Sequence, residues 1–93
     1  MYSLLTITTL FAAQPVDISF DGEPLREVVA HMAEKLDENF VYSSAFRGDT
    51  PVTVVAQDPV SPEQARAIFL SVLASEGYTT HTVHGMTKII PLD

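Results

Sequence analysis

Two segments of this 93-residue chain carry apolar residues at steps of three and four, which is the spacing of one face of an α-helix. A chain of this length forms a single domain, so both apolar faces have to be covered within one small core. Segments rich in β-branched residues lie around the two helices and favour strands. We therefore expect both helices to pack on one shared sheet. The two apolar faces consist of Leu25, Val28, Val29, Met32, Ala33 and Leu36, and of Ala65, Ile68, Phe69, Val72 and Leu73.

The second of these helices has the clearest boundaries. Ser61 and Gln64 stand three residues apart, as in a capping box, where each side chain accepts a hydrogen bond from the backbone N–H of the other. Gly77 follows at the position where a left-handed residue commonly ends a helix. The second helix is therefore predicted over residues 62–76. The first helix is predicted to carry Pro24 in its first turn, where the missing N–H of proline has no intrahelical partner to lose.

Five strands are predicted from alternating patterns and β-branched runs. The last two are joined at His84 and Gly85, a two-residue hairpin connection in which glycine adopts the positive φ that a tight turn requires. The resulting order is β-α-β-β-α-β-β. It describes an α+β domain in which two helices pack on a small mixed sheet with a C-terminal hairpin. The predicted strands cover residues 16–20, 40–42, 52–56, 78–83 and 86–92.

The first fifteen residues are predicted to lie outside this domain, which spans residues 16–93. They form an apolar run with no Lys or Arg before it, and Ala13 offers the small residue of a signal-peptidase site whereas Phe11 does not. The segment is interpreted either as signal-like or as a β-rich arm, which residues 6–9 favour. A transmembrane helix is not expected, because the run is shorter than the roughly 20 apolar residues that a bilayer crossing needs.

The composition excludes several classes of function. Twelve acidic against five basic residues give a formal net charge of −7, which disfavours nucleic acid and anionic membranes and suits a basic protein surface. The chain has no Cys, so thiol catalysis and thiolate metal sites are excluded. His81 and His84 have no third ligand at a fixed spacing, and Ser43 and Ser44 lack the strained Gly-x-Ser-x-Gly turn of hydrolases. We expect no enzyme activity, no metal, no cofactor and no small-molecule substrate.

Three stretches of the chain resemble the first N-terminal domain of secretins, above all those of type II secretion systems, and the related short N-terminal domain of TonB-dependent transducers. They are ISFDGEPLREVV (18–29), FVYSSAFRGDTPVTV (40–54) and FLSVLASEGY (69–78). The last stretch is more similar to secretin domains than to transducer domains. The resemblance covers about residues 16–92.

The resemblance implies a non-catalytic protein–protein docking domain in the periplasm. As part of a full secretin, the domain would be attached to the outer membrane and would lie in a ring with other copies of itself. It would dock the periplasmic homology region of an inner-membrane clamp subunit. The alternative that the resemblance leaves open is the signalling domain of a TonB-dependent transducer, which would contact an anti-sigma regulator.

Edge strands supply a physical route to docking, because their unpaired N–H and C=O groups recruit partner strands. The loop residue Arg47 is a further candidate, since a guanidinium can pair with a carboxylate of an adjacent copy. The alternative is that all these residues simply face solvent. The candidate partner-binding residues are Asp17, Ile18 and Ser19 on the first predicted strand, Thr53 and Val55 on the third, and Arg47.

Overall fold

A computed structural model describes residues 14–92. The predicted signal-like segment or arm, residues 1–15, lies outside the described residues except for Gln14 and Pro15. The α+β class and the predicted order of helices and strands are confirmed. The elements are β1 (Phe20–Pro24), α1 (Leu25–Leu36), β2 (Asn39–Tyr42), β3 (Pro51–Val54), α2 (Pro62–Ser75), β4 (Tyr78–Val83) and β5 (Met86–Pro91).

The strands form two sheets rather than the single shared sheet expected from the sequence. Strands β1 and β3 pair antiparallel, while β5 lies between a parallel β2 and an antiparallel β4. Helix α1 contacts strands of both sheets, and α2 contacts α1 and β4. Two small sheets therefore pack on the helix pair. The three-stranded sheet alone leaves part of the apolar surface of the helices uncovered.

The first strand lies further along the chain than predicted. The prediction ended it at Asp21 and Gly22, but β1 runs through both residues to Pro24. Its register with β3 shifts between Phe20 and Glu23, and Gly22 has a φ of 67°. This geometry is that of a β-bulge, which absorbs one extra residue without ending the ladder. Pro24 closes the strand and stands as the N-cap of α1, not within its first turn.

Upstream of β1 the backbone pairs with another segment through one isolated β-bridge, between Val16 and Val60. The backbone N–H of Val16 donates to the carbonyl of Val60 (2.7 Å), and the N–H of Val60 donates back to Val16 (3.0 Å). Asp17, Ile18 and Ser19 therefore lie between this bridge and β1, outside any regular strand.

The predicted turn and helix cap are both confirmed. The backbone N–H of Gln64 donates to Ser61 Oγ (3.1 Å), and the N–H of Ser61 donates to Gln64 Oε1 (3.2 Å). His84 and Gly85 have φ values of 52° and 77°, and Val83 pairs with Met86 across them. Two successive positive φ angles define the primed turn that suits the twist of a hairpin.

The N-terminus of α1 is capped by a loop and not by a side chain. The backbone N–H groups of Leu25 and Arg26 donate to the carbonyls of Thr50 and Gly48, both at 2.8 Å. Two of the N–H groups that a helix start leaves without partners are thereby satisfied. Gly48 lies so close to the helix that a Cβ at this position would be 2.9 Å from Cβ of Arg26.

The core lies between the helices and the inner faces of the sheets. One polar residue, Thr87, is buried within it, with 1% of its surface exposed. Its hydroxyl donates to Glu38 Oε2 (3.0 Å), and the other oxygen of Glu38 is paired with Arg66 of α2. The buried hydroxyl is thus hydrogen-bonded, as buried polar groups generally are. Neither helix of residues 14–92 combines the length and apolarity needed to cross a bilayer. The buried apolar residues are Val16, Ile18, Leu25, Val28, Val29, Met32, Val52, Ala65, Phe69, Leu73, Tyr78 and Ile89.

Candidate partner-binding surface

The segment before β1 alternates between the core and the surface. Asp17 and Ser19 are exposed, whereas the side chain of Ile18 is buried with 2% of its surface accessible. Val16, two residues earlier, is buried as well. Ile18 therefore packs in the core, and only its backbone is available to a partner that approaches this segment.

Side chains hold this segment against the end of β3. The hydroxyl of Ser19 donates to the carbonyl of Ala56 (3.0 Å), and the N–H of Ser19 donates to Asp17 Oδ1 (3.2 Å). On the other side, His31 of α1 lies with Nε2 3.4 Å from the carbonyl oxygen of Asp17. Asp17 and Ser19 are thus presented on a short, braced segment next to β1.

Thr53 and Val55 lie beside this segment. Thr53 is exposed on β3, and its Oγ1 accepts a hydrogen bond from the N–H of Gly22 in the bulge (3.0 Å). Val55 follows the end of β3 and exposes 86% of its surface, more than the other exposed large hydrophobic residues. The hydrogen bond from Ser19 to Ala56 brings the two candidate segments together. Asp17, Ser19, Thr53 and Val55 therefore belong to one surface around the β1–β3 sheet.

Arg47 is supported by the other sheet. Its side chain is exposed, and its backbone N–H donates to the hydroxyl of Tyr78 at the start of β4 (2.8 Å). The rings of Tyr42, Phe46 and Tyr78 form a contiguous series with centroids 4.4 and 5.0 Å apart. This aromatic series fixes the loop, so Arg47 projects from an ordered backbone.

Sequence reasoning missed a groove between β1 and α1. Glu23, Glu27 and Glu34 line it together with Ser19, Phe20, Ala30 and His31, and its volume is about 400 Å³. We call these seven residues the acidic groove. The spacing of Glu27, Ala30 and Glu34 along one helix face was a signal for it, but the contribution of β1 was not, because that strand was predicted elsewhere.

A metal site within residues 14–92 would require several ligating side chains to be grouped together. Within residues 14–92 no group of three His, Asp or Glu side chains is placed to hold a metal ion. His81 lies on β4, and His84 occupies the hairpin turn. The surface features of these residues are unpaired strand edges, exposed apolar side chains and the acidic groove, which suit contacts with another protein.

A family model described as "GspD-like, N0 domain" matches residues 18–89. The chain is 16% identical to the N0 domain of the type II secretin from enterotoxigenic Escherichia coli, covering 86% of this chain and 99% of that one with a TM-score of 0.73. It is 25% identical to the N-terminal domain of the secretin XcpQ from Pseudomonas aeruginosa, covering 87% and 37% with a TM-score of 0.75.

A third similar structure is a complex. The GspC–GspD complex of the type II secretion system from enterotoxigenic Escherichia coli matches at 15% identity, covering 87% of this chain and 57% of that one, with a TM-score of 0.70. This chain thus spans 37% of the XcpQ chain and 57% of the chain in the complex. A search of curated protein sequences found no significant match.

Proposed function

Because the chain belongs to the GspD-like N0 domain family of type II secretins, we propose that it is a non-catalytic docking domain that links an outer-membrane secretin to inner-membrane components of a protein secretion system. Secretin N0 domains are structural and interaction domains, and they are periplasmic parts of the outer-membrane secretin complex. We place the docking domain on the periplasmic side of such a secretin. Membership of this family favours the docking role over the signalling domain of a TonB-dependent transducer.

The partner we propose is the homology region of the inner-membrane clamp subunit. A complex of GspC with GspD from the type II secretion system is among the structures that resemble this chain. With a net charge of −7, the chain is suited to a partner whose contacting surface is basic.

We locate the docking surface around Val55 because of the exposure of this residue. Val55 has 86% of its surface in water, so a partner that covers it stabilises the complex by removing apolar surface from water. Each strand of the β1–β3 sheet pairs with one neighbour within the described residues, so each has one edge that no other described strand pairs with. Such edges accept an added strand through backbone hydrogen bonds. Asp17, the backbone of Ile18, Ser19 and Thr53 flank these edges and form the rest of the proposed surface.

We assign Arg47 to a contact between copies of the domain and not to clamp binding. Its exposed side chain lies on a loop whose backbone is anchored to β4. We assign it to an ion pair with a carboxylate of an adjacent copy in a secretin ring. Replacing it by alanine should weaken self-association at low ionic strength and leave binding of the clamp subunit unchanged.

Titration with the homology region of the cognate clamp subunit tests the docking surface. Backbone amide shifts should change at residues 17–19 and 53–55. Val55→Asp places a charge where an apolar contact is proposed, and the dissociation constant measured by calorimetry should rise about tenfold, which corresponds to about 1.4 kcal/mol. Ala67→Asp is the control, because Ala67 is an exposed apolar residue of α2 outside the proposed surface and gains the same charge. Equal loss of affinity in both variants, or shifts confined to the three-stranded sheet, would contradict the proposed surface.

A further inference from the structure

The side of the three-stranded sheet that faces away from the helices exposes several large apolar side chains. Side chains of adjacent residues alternate between the two faces of a strand, and Thr87 and Ile89 of the central strand are buried. Met86 and Ile90 therefore lie on the opposite face and expose 45% and 38% of their surfaces, and Val41 of β2 exposes 37%. We call this the outer sheet face; by the strand register it comprises Asn39, Val41, Thr79, His81, Val83, Met86, Lys88 and Ile90.

Lys88 lies at the centre of the outer sheet face. It pairs with Val41 on one side and with His81 on the other, and it belongs to the central strand. The positions that share this face in the three strands include no Asp or Glu, although the chain carries twelve such residues. The outer sheet face thus combines exposed apolar side chains with a basic centre and no carboxylate, on an acidic protein.

The charge of Lys88 decides between two ways of covering this face. If two copies stacked the same face on each other around a twofold axis, the two lysines would meet within an apolar contact. Like charges brought together in this way oppose binding. The face therefore requires a different surface that combines apolar groups with carboxylates.

The acidic groove of the same chain has these properties. Glu27, Ala30 and Glu34 are exposed on one face of α1, with Glu23 of β1 beside them. The half-buried ring of Phe20 and the methyl group of Ala30 supply apolar surface in the same groove as the three carboxylates. A groove of about 400 Å³ that is lined by three carboxylates can accept a lysine that projects from a partly apolar surface.

We propose that the outer sheet face of one copy docks on the acidic groove of the next, with Lys88 among Glu23, Glu27 and Glu34. This inference rests on the ring assembly in the proposed function and names its two surfaces. The contact joins different surfaces of identical chains, so each copy keeps one free groove and one free face. Contacts of this head-to-tail kind generate rings or open chains, whereas a twofold contact ends at a dimer.

Charge reversal in solution tests the two surfaces. Self-association of the 93-residue chain is measured at low ionic strength from concentration-dependent amide shifts and sedimentation velocity up to millimolar concentration. Lys88→Glu and Glu27→Lys should each weaken self-association about tenfold, because each places like charges in the contact. Glu76→Lys is the control, since Glu76 is exposed outside the groove and the charge change is the same. It should leave self-association within about twofold of wild type.

Mixing the two reversed variants gives the most specific result. Lys88→Glu retains a native groove and Glu27→Lys retains a native outer sheet face, so the mixture should associate with wild-type affinity although neither variant does so alone. With isotope label on Lys88→Glu, shifts should appear at the groove; with label on Glu27→Lys, they should appear at Val41, Met86 and Ile90. Absence of self-association in wild type, unchanged association in the single variants, or no recovery on mixing would overturn this contact. Docking of the clamp subunit is judged independently by the Val55→Asp experiment.

Discussion

Replacing Gly48 by alanine should destabilise the domain, because the loop before β3 touches the first turn of α1 at this residue. A Cβ at Gly48 would lie 2.9 Å from Cβ of Arg26 and 3.4 Å from Cε2 of Phe46. Cβ of Arg26 is bonded directly to the helix backbone, so it cannot move without the turn itself. The loop cannot withdraw freely either, since the carbonyl of Gly48 accepts the hydrogen bond from the N–H of Arg26.

The expected loss of stability depends on how the clash is relieved, either by a shift of the helix turn or by withdrawal of the loop. Adding a methyl group to a packed site costs about 1–3 kcal/mol when the surroundings have to shift. Moving the loop away instead loses a hydrogen bond worth about 1 kcal/mol and leaves an N–H of the helix start without its partner. Either route lowers the free energy of unfolding of Gly48→Ala by about 1–3 kcal/mol. Urea denaturation followed by circular dichroism measures the difference.

Two substitutions of Arg26 make the test specific. Arg26→Gly removes the Cβ that meets the new methyl group, whereas Arg26→Ala keeps it and removes only the rest of the side chain. Arg26→Gly alone should cost about 1 kcal/mol through helix propensity. Combined with Gly48→Ala, it should be less destabilising than the sum of the single changes, while Arg26→Ala should show no such recovery. A Gly48→Ala variant as stable as wild type, or equal recovery with both Arg26 variants, would refute the reasoning.

Three further predictions concern stability and are checked by the same denaturation experiment. Ser61→Ala should cost about 1 kcal/mol, because α2 loses its capping hydroxyl; an unchanged midpoint would contradict that role. Thr87→Val should cost about 1–3 kcal/mol, since Glu38 loses a donor at a buried site, whereas Thr79→Val on the exposed face should stay within about 0.5 kcal/mol of wild type. Gly85→Ala should cost about 1 kcal/mol, because an L-residue is strained at a φ of 77°, and a neutral result would show that the turn adapts.

Features that depend only on residues close together in the sequence were predictable from it. The capping box of Ser61 and Gln64 involves one turn of helix, and the hairpin at His84 and Gly85 needs only a glycine between two strand-forming runs. The apolar faces of both helices were predicted for the same reason, since their spacing is set by the helix itself. The resemblance to secretin N0 domains was likewise present in three short stretches, and the family match confirms it.

The candidate surface was predicted less completely, as residues 16–24 illustrate. The alternation of this segment was recognised, and Val16 and Ile18 are buried while Asp17 and Ser19 are exposed. Its position in the sheet was wrong, because a strand is defined by the backbone groups that it pairs with. Here β3 pairs across the bulge at Gly22, some thirty residues away in sequence. The acidic groove was missed for the same reason, since Glu23 reaches it only when β1 lies beside α1.

The sequence by itself determined the helices, the hairpin, the order of elements and the family, because these depend on local spacing and on residue types in short stretches. Only the tertiary structure decided that the strands divide into two sheets, that residues 17–19 lie outside any regular strand, and that Val55 and the outer sheet face remain exposed. Burial and hydrogen bonding between distant segments depend on which surfaces meet when the chain folds. The edges and faces available to a partner are therefore those that folding leaves uncovered.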